Sequence, residues 1–197
     1  MTTLDTLLDR NRRFAAANPP ADLRLFPKLE TIVIGCADPR VDPAAVLGLE
    51  LGDALVIRNL GGRFTPEVFQ TLAALRLIAA AEGVAPGPDW NLVVLQHTDC
   101  GLTRLGDQPG LLANVFGVDP ADLAAKAVND PVAAVAVDVA AIKANPFLPA
   151  AFLVSGLVYD VATGLVNVVV PPAPLRPAAP APIAPAAPAA PAPVEAN

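Results

Sequence analysis

The apolar positions of the chain fall into two patterns, short uninterrupted runs and repeats with helical spacing. Residues 31–36, 54–58 and 91–96 are β-branched and aliphatic runs without polar alternation, which is typical of strands covered on both faces. Helical spacing lies between them, most clearly over residues 65–81, and Asp42-Pro43 begins a shorter helix. Because strands and helices alternate, the pattern predicts an α/β fold with a parallel sheet wrapped by helices.

The second half of the chain also alternates helices and strands, but it ends with two predicted strands in succession. Residues 105–130 are short pieces interrupted by glycine and proline, and a helix follows from Asp130-Pro131 to about residue 144. Residues 152–158 and 165–170 are two further apolar runs. A hairpin-length connection joins these two runs, so the last strand could lie antiparallel to its neighbour.

The two ends of the chain differ from this central region. A predicted helix over residues 2–16 has one apolar stripe, formed by Leu4, Leu7, Leu8 and Phe14. We expect this helix to pack on a partner subunit, although its own domain is an alternative. From residue 171 onward the chain is almost entirely proline and alanine, a composition that cannot bury a core. We therefore predict one domain over residues 1–170 and a disordered tail over residues 171–197.

Composition narrows the class of protein. Hydrophobic residues make up 54% of the chain and charged residues 16%, yet no apolar run reaches the roughly 18 residues of a membrane-spanning helix. The first residues lack the apolar segment of a secretory signal, so we expect a cytoplasmic protein. A net charge of −6 argues against a nucleic-acid partner. We expect some of the excess apolar surface to lie between the subunits of a homodimer or higher homo-oligomer.

The chain contains only two cysteines and one histidine. Cys36 and His97 each end a predicted strand, and the carboxyl ends of strands line the ligand-binding edge of an open α/β sheet. Cys100 follows His97 by three residues, so one turn can present both side chains to one ion. Two thiolates and one imidazole match a catalytic zinc site, which keeps a fourth position for water or substrate. The alternatives are a Cys36–Cys100 disulfide and, for each residue alone, an ordinary buried side chain.

Further polar chemistry lies beside the first cysteine and in a glycine pair. Asp38 and Arg40 stand two residues apart across a tight turn, where an arginine can hold a carboxylate bidentately and lower its pKa. An ionised Asp38 could accept a hydrogen bond from a metal-bound water and orient it, whereas a surface salt bridge is the alternative. Gly61 and Gly62 could let backbone amides approach a substrate, or could form a plain turn.

These residues resemble motifs of the β-class carbonic anhydrases. The resemblance is carried by CADPR (36–40) and HTDC (97–100), flanked by GLELGDALVIRNLGGR and NPFLPAAFLVSGLVYDVATGLV, and extends from Ile32 to Val170. It implies a mixed, mainly parallel sheet flanked by helices and a dimer as the smallest functional unit. It also implies a catalytic dyad of Asp38 with Arg40 and a Zn²⁺ ion bound by Cys36, His97 and Cys100.

Two residues depart from the family pattern. Pro39 stands where the family commonly has serine or alanine, and a proline pushes the preceding residue, Asp38, towards an extended conformation. This could hold the dyad in its working geometry or could move the aspartate away from it. Leu60 stands where the family usually has alanine, so the pocket could be narrower.

The resemblance implies a lyase that hydrates carbon dioxide reversibly to bicarbonate through attack of zinc-bound hydroxide. Two thiolates cancel the charge of the ion, so we expect a less acidic metal-bound water than at a three-histidine site and activity that rises with pH. One alternative is a hydrolase of carbonyl sulfide or carbon disulfide on the same scaffold. Another, favoured by Pro39 and the tail, is a catalytically silent zinc-binding assembly protein. A dithiol redox protein fits less well because Cys36 and Cys100 form no CxxC pair.

Overall fold

Five strands form one mixed sheet in the computed structural model, which describes residues 1–17 and 23–176. In chain order they are β1 (Thr31–Cys36), β2 (Ala54–Asn59), β3 (Asn91–His97), β4 (Leu153–Tyr159) and β5 (Val166–Pro174). Their order across the sheet is β2-β1-β3-β4-β5. The first four strands are parallel, and β5 pairs antiparallel with β4. The predicted α/β fold with a mixed, mainly parallel sheet is confirmed.

Helix α1 (Thr3–Ala17) precedes the first strand, and the other helices lie in the connections between strands. These are α2 (Pro43–Leu47), α3 (Pro66–Ala81), α4 (Pro109–Phe116) and α5 (Pro131–Ala144), with short 3-10 turns at Pro39–Val41, Leu60–Gly62, Gly101–Leu105 and Pro120–Lys126. The aspartates predicted to begin two of them do so. Asp42 accepts a hydrogen bond from the backbone of Ala44, and Asp130 accepts from those of Val132 and Ala133. Each cap precedes a proline in the first turn, where the missing N–H leaves no bond unmade.

The main core lies where α3 and α5 pack against the sheet. Val135 and Ile142 of α5 are fully buried there, and burial of each such side chain contributes about 1.5–3 kcal/mol. Gly156 of β4 allows the close approach of α5, because a Cβ atom at this position would lie 2.2 Å from Val135 Cγ1. The sheet and α5 are therefore in direct contact at β4.

Two predictions about the outer strands need correction. The apolar run of β2 predicts a strand covered on both faces, but β2 is an edge strand and Val56 is exposed in the single chain. At the other edge, β5 continues through Pro171 to Pro174, where the sequence predicted a tail. Leu175 is buried and its N–H donates to the carbonyl of Phe152 at 2.8 Å. An edge strand tolerates prolines because one side of it needs no donors. Residues 177–197 of the predicted tail lie outside the described residues.

The amino-terminal helix α1 is exposed to solvent along most of its length. None of its residues is buried, and Leu4, Leu7 and Leu8 are exposed as one stripe. Its packing on a partner subunit stays a prediction. In residues 1–17 and 23–176, no helix is both long and apolar enough to span a bilayer.

Candidate metal centre

The predicted ligand residues converge at the carboxyl edge of the sheet. Cys36 is the last residue of β1 and His97 the last residue of β3, and because these strands are parallel neighbours their ends meet. Cys100 lies in the turn after β3. One ligand atom from each of the three side chains lies within 4.8 Å of the other two. The two sulfurs are 3.9 Å apart and both cysteines are free, far from the S–S separation of about 2.05 Å that a disulfide requires.

The imidazole of His97 offers a nitrogen suited to a cation. Its Nδ1 lies 2.8 Å from the carbonyl of Thr98, an arrangement that places the proton on Nδ1 and leaves a lone pair on Nε2. His97 is almost fully buried, and its Nε2 has no hydrogen-bond partner. A buried acceptor without a partner is costly. Two sulfurs and one such nitrogen are the donor types that suit Zn²⁺, so these residues fit the metal that the sequence predicts.

The sulfur atoms have unequal proton affinities. The hydrogen bond between the two sulfurs lowers the pKa of Cys36 to about 4, although burial opposes this, and the backbone N–H of Asp38 at 3.4 Å adds to the effect. The same contact raises the pKa of Cys100, and burial raises it further. Burial opposes protonation of His97, but the neighbouring Cys36 thiolate outweighs it and raises the pKa of the imidazole. A cation bound here would therefore displace protons.

Asp38 and Arg40 form the pair that the sequence predicts. Arg40 donates from Nη2 to Asp38 Oδ2 at 2.8 Å, from Nε to Oδ1 at 3.1 Å, and from its backbone N–H to Oδ1 at 2.9 Å. The guanidinium holds the pKa of Asp38 at about 2, and the carboxylate in turn raises the pKa of Arg40. Asp38 is therefore ionised at every pH above about 4, so both of its oxygens act as hydrogen-bond acceptors and neither donates.

Pro39 supports the geometry of this pair. It begins the 3-10 turn Pro39–Val41, and Asp38 before it adopts φ −55° and ψ 125°, an extended conformation that proline favours in the preceding residue. This conformation lets the Asp38 side chain accept from the backbone N–H of Arg40. Of the two consequences considered from the sequence, the structure contains the one in which the dyad is formed.

Arg58 is a residue of this site that the sequence reasoning missed. It is the penultimate residue of β2, and its Nε donates to the carbonyl of Cys36 at 2.8 Å while Nη2 donates to the carbonyl of Asp38 at 2.7 Å. Its Nη1 pairs with Asp42. One side chain therefore fixes the backbone on both sides of the turn that carries the ligand and the dyad. The sequence signal that could have identified Arg58 is a charged residue at the end of an otherwise apolar strand.

The glycine pair packs against the ends of β1 and β3, the strands that carry Cys36 and His97. Gly61 and Gly62 are buried with φ of 81° and 63°, a left-handed conformation that favours glycine. A Cβ atom on Gly62 would lie 2.9 Å from both the Cys36 nitrogen and the Leu95 oxygen. The close approach of this loop to β1 and β3 therefore requires glycine. That backbone amides of the pair reach a substrate stays a prediction.

A small cavity of about 150 Å³ lies beside the cluster. His97 and Cys100 line it together with the apolar side chains of Leu102 and Val128. Leu60 does not line it, and its side chain is partly exposed. The expectation that Leu60 narrows the pocket therefore finds no support in this cavity.

A buried ion pair next to the glycine loop was also missed from the sequence. Arg63 donates from Nε to Asp138 Oδ2 at 2.7 Å and from Nη2 to the carbonyl of Lys126 at 2.7 Å. Asp138 Oδ2 also accepts from Gln96 Nε2 at 3.0 Å and from the backbone of Phe64 at 3.2 Å. The pair joins the glycine loop to β3 and α5. Its members are 75 residues apart, and no local pattern links them.

A mainly parallel sheet with two cysteines and one histidine at its carboxyl edge defines an α/β protein with the donor set of a metalloenzyme. The sequence profile described as carbonic anhydrase matches residues 31–116. β-carbonic anhydrase 1 of Mycobacterium tuberculosis is 31% identical over 174 residues, which are 87% of this chain and 100% of that protein. The crystal structure of carbonic anhydrase from Streptococcus mutans is 31% identical, covers 86% of this chain and 98% of that chain, and has a TM-score of 0.65.

The chain therefore belongs to the β-class carbonic anhydrase family, and its enzyme class is carbonic anhydrase. A carbon disulfide hydrolase in its apo form shares the fold, with a TM-score of 0.53 at 22% identity over 83% of this chain and 88% of that chain. At that identity the likeness extends to the architecture alone.

Proposed function

We propose that this protein catalyses the reversible hydration of carbon dioxide to bicarbonate with a zinc ion held by Cys36, His97 and Cys100. The observation that carries the proposal is the convergence of these three donors within 4.8 Å, with a buried His97 Nε2 that lacks a partner. When bound, zinc would lower the pKa of a coordinated water and so supply hydroxide near neutral pH for attack on carbon dioxide.

Asp38 acts in this proposal as an orienting acceptor. Its pKa of about 2 leaves the carboxylate ionised throughout the neutral range, so it can accept a hydrogen bond from the attacking water and aim the oxygen at the substrate carbon. The same low pKa makes it a poor store for a proton. The proton released when water and carbon dioxide form bicarbonate therefore passes to solvent. Arg40 keeps the carboxylate ionised and in place through its two hydrogen bonds.

The small cavity beside the cluster is compatible with this substrate. Carbon dioxide is linear and apolar, and about 150 Å³ lined partly by Leu102 and Val128 is sufficient for a molecule of three atoms. Carbonyl sulfide and carbon disulfide have the same linear shape with larger atoms. Hydrolysis of these compounds stays the alternative that the sequence raised.

We also propose that the enzyme works as a homodimer in the cytoplasm. The exposed stripe of Leu4, Leu7 and Leu8 on α1 supports the dimer, because a lone helix with an apolar face gains stability only by covering it. Light scattering on the purified protein should give twice the mass of one chain. A monomer at micromolar concentration would contradict this part of the proposal.

The decisive experiment combines metal content with activity. The wild-type protein should hold about one zinc per chain, and Cys100→Ala should lose most of it together with at least about 100-fold of the carbon dioxide hydration rate. Thr71→Ala, on the exposed side of α3, is the matched control and should change neither quantity. Zinc stoichiometry that is unaffected by Cys100→Ala would remove the ligand assignment. Parallel assays of sulfide release from carbonyl sulfide and carbon disulfide separate the substrate classes.

A further inference from the structure

Asp99 stands between His97 and Cys100, the two predicted metal ligands of the HTDC turn, and the proposed function assigns it no role. Its backbone has φ of 51°, the left-handed conformation that aspartate, asparagine and glycine tolerate best. Its side chain is half exposed and lies beside the side chains of Arg40 and Arg104. Asp99 therefore joins the turn after β3 to the turn after β1.

Asp99 and Asp38 contact different edges of the Arg40 guanidinium. Arg40 Nη1 donates to Asp99 Oδ2 at 2.8 Å, and Arg40 Nη2 donates to the backbone carbonyl of Asp99 at 2.9 Å. Asp38 occupies the other edge of the guanidinium, through Nε and Nη2. The planar guanidinium is thus held along both edges, and we name the Arg40–Asp99 half of this arrangement the clasp.

The clasp matters because one exposed ion pair is too weak to fix an arginine. An isolated surface pair gains little beyond the rotamer freedom that it costs, whereas several contacts in a planar network can hold one geometry. Arg40 is half exposed, so its pairing with Asp38 alone would leave the guanidinium free to turn about its long stem. The clasp adds a second carboxylate and a rigid backbone oxygen, both attached to the turn that carries Cys100.

We propose that Asp99 is a positioning residue for the reaction: it holds the far edge of Arg40 so that Asp38 keeps the orientation that catalysis needs. The inference rests on the proposed function, in which Asp38 aims the attacking water. Asp99 acts only through Arg40 and Asp38. Its removal should therefore lower kcat and leave KM and zinc content unchanged, since an orienting group displaced by a fraction of an ångström still allows substrate to bind.

Two substitutions separate this role from an effect on the turn itself. Asp99→Asn keeps a side chain that tolerates the left-handed backbone and one acceptor oxygen, but it loses the charge. Asp99→Gly removes the whole side chain, is free of backbone strain, and keeps the carbonyl that accepts from Arg40 Nη2. We expect kcat to fall about 5-fold in the first and about 20-fold in the second, with KM within about twofold of wild type.

Arg104→Gln is the matched control. Arg104 donates to the other oxygen of Asp99 at 3.0 Å and is the more exposed of the two arginines, so its loss leaves the clasp in place. We expect its kcat to stay within about twofold of wild type. Each variant should retain about one zinc per chain. A kcat of Asp99→Gly equal to wild type would overturn the proposal, as would loss of zinc from Asp99→Asn.

A double-substitution cycle gives the sharpest test. A residue that acts only through the dyad has nothing left to position once Asp38 is replaced, so Asp99→Gly should cost no further activity in an Asp38→Asn background. A full 20-fold additional loss in that background, about as large as in wild type, would show a role that does not run through Asp38 and would overturn the proposal.

A measurement without turnover keeps the clasp testable if the proposed function fails. In NMR spectra of zinc-loaded protein, the Nε–Hε signal of Arg40 should be resolved and should exchange slowly with solvent in wild type and in Arg104→Gln. In Asp99→Gly the same signal should broaden. An inactive wild-type enzyme would refute carbon dioxide hydration alone. An Arg40 signal that is equally ordered in Asp99→Gly would refute the clasp alone.

Discussion

Two arginine–aspartate pairs lie close to the three candidate metal ligands, one in the protein interior and the other partly exposed to solvent. Arg63 and Asp138 have side chains that are 1% and 2% exposed, and Asp138 is a buried residue of α5. Arg40 and Asp38 are 48% and 13% exposed and lie at the open end of the sheet. In both pairs Nε and Nη2 of the guanidinium donate to the carboxylate, so chemistry alone does not distinguish them.

Burial decides what each pair does. In the interior a charge without its partner is very costly, so Arg63 and Asp138 must stay paired, and their pairing joins the glycine loop, β3 and α5. At the open end solvent screens the charges, so the pairing of Arg40 with Asp38 adds little to stability. The exposed pair is therefore not needed to hold the fold, and in the proposed function it serves the reaction. The comparison teaches that access to water decides how much an arginine–aspartate pair contributes to stability.

Substitution of Asp138 should damage stability far more than substitution of Asp38. Asp138→Ala leaves the Arg63 guanidinium buried and unpaired, and we expect the free energy of unfolding to fall by about 3–5 kcal/mol. Urea denaturation measures the change. Asp38→Ala should lower the same quantity by no more than about 1 kcal/mol.

A double variant tests whether the unpaired charge is the cause. Arg63→Met together with Asp138→Leu removes both charges and keeps apolar volume, so it should recover the part of the loss that comes from the unpaired Arg63 charge. It should not recover all of it, because Gln96 Nε2 and the Phe64 N–H lose their acceptor in both variants. If the double variant is as unstable as Asp138→Ala, the lost acceptor and packing rather than a stranded charge explain the effect.

Activity should show the opposite ranking. Asp38→Asn keeps the shape of the side chain but removes the charge that orients the attacking water, and we expect kcat for carbon dioxide hydration to fall about 100-fold. Zinc content and melting temperature should stay close to wild type. Asp119→Asn, which replaces the capping residue of the 3-10 turn Pro120–Lys126, is the matched control and should retain most of the activity. An Asp38→Asn enzyme with wild-type kcat would contradict the role given to the exposed pair.

The pH dependence should also separate stability from chemistry. The pKa of Asp38 is lowered from 3.8 to about 2 in the folded state, so the stabilisation from its pairing is present above pH 4 and is lost as pH falls towards 2. Between pH 6 and 9 Asp38 does not titrate. Activity should nevertheless rise about 10-fold or more over this range, because zinc with two thiolate ligands leaves its water less acidic than at a three-histidine site. A flat profile, measured where chemistry limits turnover, would contradict this.

Replacement of the proline in the exposed turn should have the smallest effect. The dyad is formed with Pro39 in place, and Pro39→Ser keeps the backbone able to adopt the same extended conformation at Asp38. We expect a change in kcat of less than about 3-fold and a loss of stability of about 0.5–1 kcal/mol from added freedom of the unfolded chain. An inactive wild type and an active Pro39→Ser variant would instead support the silent assembly protein.

The sequence predicted those features that follow from strand ends. Cys36 and His97 each close an apolar run, and parallel neighbours must bring such ends together, so the convergence was predictable without coordinates. The buried pair was not, because Arg63 and Asp138 are far apart in the chain and meet only after α5 has packed on the sheet. Arg58 was missed for a related reason. It holds the turn after β1 through the backbone carbonyls of Cys36 and Asp38, and every residue has such a carbonyl, so no sequence pattern marks them.

The sequence predicted that each strand exists, but it predicted less well which strand lies at an edge of the sheet and where the last strand ends. The apolar run of β2 suggested cover on both faces, but the order of strands in a sheet depends on crossovers that a run of residues does not encode. Proline and alanine composition suggested the end of the domain at residue 171. The final strand continues because Leu175 finds a buried position and its N–H donates to the carbonyl of Phe152.

The prolines at the end of β5 have a consequence for behaviour in concentrated solution. An open sheet edge can recruit strands from other molecules through its unused N–H and C=O groups, which is a route to fibres. Pro171, Pro172 and Pro174 supply no N–H along the last part of β5. The outer border of the sheet is thus a poor template for a foreign strand, and a chain with so many apolar residues is protected there from edge-to-edge aggregation.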